Sequence, residues 1–118
     1  MTHISYKVSK MLKEFLGESA PEPTDTAYWV THQYTRDIFM AHKNDGAQVD
    51  YIAPAYQLHD LLSKPFCEAM AKTKCMTLFA DGSCPWSWGS YYDRLSMENK
   101  DGGLPAVEKA LCEMMEAK

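Results

Sequence analysis

The chain contains no run of eighteen apolar residues, only two arginines, no C-x-x-C pair and none of the short catalytic signatures. Each absence removes a class. Without a long apolar run, no membrane-spanning helix is expected. Arg36 and Arg94 cannot supply the clustered basic surface that counterion release at a nucleic acid requires, so no nucleic-acid partner is expected. Gly102-Gly103 is not followed by Lys-Ser/Thr, which excludes a phosphate-cradling loop of the Walker type. Neither G-x-S-x-G nor H-E-x-x-H occurs. The opening Met1-Thr2-His3-Ile4-Ser5-Tyr6-Lys7 has no secretory h-region, so a cytoplasmic location is the expectation.

What is present describes one globular domain, residues 1–118, with a hydrophobic fraction of 46% that suffices for a core. The net charge of −4 is unevenly spread. Lys7, Lys10 and Lys13 face Glu14 in the first sixteen residues, whereas residues 17–60 carry seven carboxylates against Arg36 and Lys43. Such an acidic stretch is a solvated surface or the face offered to a basic partner.

The cysteines are Cys67, Cys75, Cys84 and Cys112. Zinc sites bring thiolates in as close pairs, and these spacings provide none. Free thiols are therefore expected, with Cys67 and Cys112 as small buried hydrophobes on helix faces. Cys75 and Cys84 flank a turn, where a zinc or disulfide role is the alternative.

Ile4, Val8, Met11, Leu12 and Phe15 recur at helical spacing and predict a helix over 4–16, capped by Thr2 or Ser5 and closed by Gly17. Residues 17–26, with Pro21 and Pro23, read as a connecting loop. The aromatic and β-branched residues of 27–34 and 37–43 predict two strands turning at Thr35-Arg36, with a third near Val49–Ile52. Pro54 is expected in the first turn of a helix that breaks at Ser63-Lys64 before Pro65 and continues to residue 72. Met76 to Ala80 reads as a short strand. Further helices are expected from Pro85 to Asn99 and from Pro105 onward, separated by Lys100-Asp101-Gly102-Gly103. The expected fold is α+β, a small helix-rich domain of about five helical segments with a short antiparallel sheet of two to four strands.

The string Pro54-Ala55-Tyr56-Gln57-Leu58-His59-Asp60-Leu61-Leu62-Ser63-Lys64-Pro65-Phe66-Cys67, with Tyr92-Asp93-Arg94-Leu95-Ser96 and Gly102-Gly103-Leu104-Pro105-Ala106-Val107-Glu108, resembles small uncharacterised proteins encoded by bacteriophages and prophages. The likeness covers about two-thirds of the chain. It implies origin and cytosolic location, and it carries over no functional residue.

Candidate chemistry is sparse. His59 and Asp60 are adjacent on a helix, so they point about 100° apart and do not form an acid–base pair. His32 and His42 come together only if the hairpin places them opposite each other, as a metal pair without a third ligand. Pro85-Trp86-Ser87-Trp88-Gly89-Ser90-Tyr91-Tyr92 holds more large rings than one helix face buries. One reading makes these rings mostly core, as a small domain needs many of them; if instead only Trp88 and Tyr92 face the core, Trp86 and Tyr91 point outward. The candidate interaction surface is therefore Trp86, Trp88 and Tyr91 with the acidic Asp37, Asp45 and Asp50. No cofactor is expected, and the expected activity is non-enzymatic binding of a host or phage protein. The alternatives are a metal-dependent or enzymatic module using His32, His42 or His59 with a cysteine, and a structural homo-oligomer.

Overall fold

A computed structural model describes residues 2–43, 48–79, 81 and 83–116. The first helix, α1, spans Tyr6–Leu16. Ser5 caps it by accepting the Val8 N–H, and Gly17 closes it at φ 59° while its N–H reaches the Lys13 carbonyl. A single 3-10 turn, Gly17–Ser19, opens the following loop.

Three strands form one antiparallel sheet: β1 (Ala27–His32), β2 (Ile38–His42) and β3 (Val49–Pro54), in the order β2-β1-β3. The β1–β2 turn is fastened by the His32 ring, whose Nδ1 accepts the N–H groups of Tyr34 (3.2 Å) and Thr35 (3.3 Å). Arg36 takes the left-handed φ of 65° that the turn needs. Pro54 ends β3 opposite Tyr28 and does not open a helix, which corrects the expectation. Proline is tolerated at the end of an outer strand, where no ladder hydrogen bond is lost.

Helix α2 is the short Leu58–Leu61, and α3 runs over Lys64–Leu78. The break falls at Ser63 as expected. Its Oγ accepts the Phe66 N–H and donates to the Asp60 carbonyl at 2.6 Å, so one hydroxyl joins the two helices. Ser63→Ala is expected to cost about 1 kcal/mol in chemical denaturation. An unchanged midpoint would show the cap to be dispensable. Contrary to the expected strand, Met76–Leu78 belongs to α3, closed by the Phe79 N–H on the Cys75 carbonyl. A short apolar run signals helix and strand alike, and continuity with the preceding turns decides here. Ala80 lies outside the described residues.

Helix α4 spans Trp88–Glu116 and is broken at Gly103, where φ is 68°. The helical path continues through Lys100–Gly102, so the break is one residue and not four. Pro105 begins the second arm, where its missing N–H has no partner to lose. Among the described residues the result is an α+β fold with four α-helices, the last in two arms, and a three-stranded sheet. The count is four rather than about five only because the two last helices expected from the sequence are the arms of one interrupted helix, 88–116.

The main core is helical. Ile4, Leu12, Phe66, Met70, Leu95 and Leu111 are fully buried in it, joined by Tyr56 from the segment after β3. No residue of the three strands enters this cluster. The sheet meets the helical body mainly where α1 packs on β3. Buried Glu108 on α4 accepts the N–H (3.3 Å) and the hydroxyl (3.0 Å) of Ser5, tying the start of α1 to the last helix.

Candidate functional site

The aromatic stretch is divided between core and surface, with the roles of the rings reversed from the alternative that turns Trp86 and Tyr91 outward. Tyr91 is 6% exposed and Trp86 is half-buried against the core, while Trp88 and Tyr92 face outward, edge to face at 6.3 Å. Helical phase explains Tyr91, because the buried positions of the first α4 arm are Tyr91 and Leu95, one turn apart. Trp86 precedes the helix altogether and packs on Phe79 at the end of α3, with centroids 5.7 Å apart. Tyr91 is thereby removed from any surface, and Trp88 remains as the exposed tryptophan.

Cys75 and Cys84 form a disulfide, which corrects the expectation of free thiols. Because α3 extends past residue 72, it carries Cys75 to its last turns, where the returning chain brings Cys84 to a Cα–Cα distance of 5.1 Å. The bond lines a groove of ≈ 460 Å³ with Met76, Phe79, Trp86 and Trp88. Cys67 and Cys112 are free, as expected. Burial pushes the Cys67 thiol up to about 11, which leaves almost no thiolate near neutrality.

His32 and His42 do not meet. The register pairs Ala27 with His42 and Thr31 with Ile38, so the two rings occupy opposite ends of the hairpin. Each imidazole instead holds a piece of chain. His3 Nε2 lies 2.7 Å from Asp25, His42 Nδ1 bonds the Asp25 carbonyl, and His59 bonds the Thr24 hydroxyl, both at 2.7 Å. Burial raises the Asp25 carboxyl, but the bonds from His3 and the Ala27 N–H outweigh it and leave the group below its ordinary range. Asp60 is buried, accepts the N–H groups of Thr24 and Gln57, and so caps α2 while holding the 21–25 loop. Its contact with His59 is 3.7 Å, longer than a hydrogen bond. Among the described residues no three His, Cys, Asp or Glu side chains converge on a metal position.

The sheet supplies what the aromatic stretch does not. Among the described residues β2 pairs only with β1, so its other edge is open. Ile38 (49%) and Met40 (37%), two residues apart and therefore on one face, are exposed, as is Tyr34 in the turn. Exposed Asp37 and Asp50 come to this same end, since Asp37 bonds His32 and Asp50 pairs with Thr31. Asp45 lies outside the described residues. Sequence reasoning missed Ile38 and Met40 because alternation alone does not tell which strand ends at an edge.

No protein-family model matches the chain, and no curated protein or solved structure matches it. Among the described residues no helix is long and apolar enough to cross a membrane.

Proposed function

We propose that this chain is a small non-enzymatic binding protein of phage or prophage origin, acting in the bacterial cytoplasm on a host or phage protein. The observation that carries the reading is the open β2 edge with exposed Ile38 and Met40. An open edge offers main-chain hydrogen bonds to an extended segment, and alternating apolar side chains give that segment its register. Asp37 and Asp50 at the same end favour a segment flanked by basic residues. The origin rests on the resemblance of 54–67, 92–96 and 102–108 to phage proteins. In the cytoplasm thiols are held reduced, so there the Cys75–Cys84 bond is the oxidised form of a dithiol.

Affinity capture from bacterial lysate with mass spectrometry tests the surface. A partner retained by the wild type is expected to be lost, by about thirtyfold or more in affinity, from an Ile38→Lys, Met40→Lys double variant and kept by Trp88→Ala. Identical capture by the double variant overturns the reading. So does a wild-type dimer, seen by light scattering, that the same substitutions convert to monomer, because the edge then serves self-association.

A further inference from the structure

A second cavity, of ≈ 260 Å³, lies between α3 and both arms of α4, on elements the β2 edge does not touch. Lys74, Trp86, Ser90, Tyr91, Arg94 and Met114 line it. Lys74 is 6% exposed, and among the described residues it has no carboxylate partner. Its ammonium donates to the Met114 carbonyl at 3.0 Å, near the C-terminal end of α4. That bond is a helix C-terminal cap and uses one of three donors. Two donors of a buried cation are left without a partner among the described residues, an arrangement that is costly unless a counter-charge arrives.

We infer that this cavity binds a small organic carboxylate, with Lys74 as the anchoring cation. The carboxylate would accept from the two remaining Lys74 N–H groups, with the exposed Ser90 hydroxyl and Arg94 at the mouth. Arg94 is partly engaged already, donating to Glu113 at 2.9 Å, so it cannot offer an uncommitted fork to a phosphate. The Trp86 and Tyr91 rings and Met114 form an apolar wall, which suits a ligand with a flat apolar body. The volume lies below the usual range of about 300–1,000 Å³, which limits the ligand to a small one.

The probe is benzoate, titrated into the ¹⁵N-labelled full chain, with benzamide and inorganic phosphate as comparisons. Benzoate is expected to shift the Trp86 indole N–H and the Ser90 amide saturably, with benzamide and phosphate weaker by about tenfold or more. Lys74→Met should weaken benzoate by about tenfold. Arg94→Gln, at the exposed rim and outside the core, should weaken it about threefold and keeps the test decisive if Lys74→Met does not fold. The inference is overturned by benzoate shifts that do not saturate, by equal binding of benzamide or phosphate, or by variants that bind benzoate as the wild type does.

Discussion

Replacing Phe66 with alanine is expected to cost about 3–5 kcal/mol of stability. Phe66 is fully buried and packs edge-on against Tyr56 at 5.3 Å, where the sheet-derived segment meets the helical core. Its position is fixed locally, because its own N–H is held by the Ser63 cap at the start of α3. Leu61 and Met70 belong to the same buried cluster, on α2 and α3 respectively, so truncation leaves a cavity in the main core. Against a total of about 5–15 kcal/mol for a domain this size, the loss is severe. It corresponds to a drop in melting temperature of about 10–20 °C. Calorimetry checks it, and a loss under about 1 kcal/mol would mean that the ring is not the joint described.

Reduction of Cys75–Cys84 is expected to remove about 2–3 kcal/mol. The cysteines are nine positions apart, so the bond closes a short loop and lowers the entropy of the unfolded chain accordingly. The native-state effect should be local. Phe79 and Trp86 pack together beside the bond, whereas the core around Leu12, Leu95 and Leu111 does not depend on it. Reducing agent, or the paired Cys75→Ser, Cys84→Ser variant, should lower the melting point and speed amide exchange at Ser83 to Ser87, leaving α1 protected. Oxidised and reduced forms that melt together would contradict this account.

Local signals made much of the fold legible. The α1 stripe, the Ser5 and Gly17 caps, the Ser63 break and the turn at Thr35-Arg36 are encoded within a few residues of where they act. What failed depends on distant pairing. Pro54 is a strand residue because β1 lies beside it, and proline alone reads equally well as a helix start. Tyr91 is buried because α3 packs against that side of α4, and the ring spacing in 86–92 contains no phase reference. The disulfide depends on how far α3 runs, which the apolar Met76–Leu78 leaves open. Lys74 offers no sequence sign of burial, since lysine on a helix normally marks the wet face.

The bond between Ser5 and Glu108 joins residues 103 positions apart. During synthesis α1 precedes its partners, so Ile4 finds the Tyr56 carbonyl only after β1, β2 and β3 have emerged, and Ser5 finds Glu108 only once α4 has followed. α1 is thus secured only well after it has been made. Until then its apolar stripe, Val8, Leu12 and Leu16, has no finished core to enter. The three lysines on the opposite face keep that waiting helix hydrated during translation.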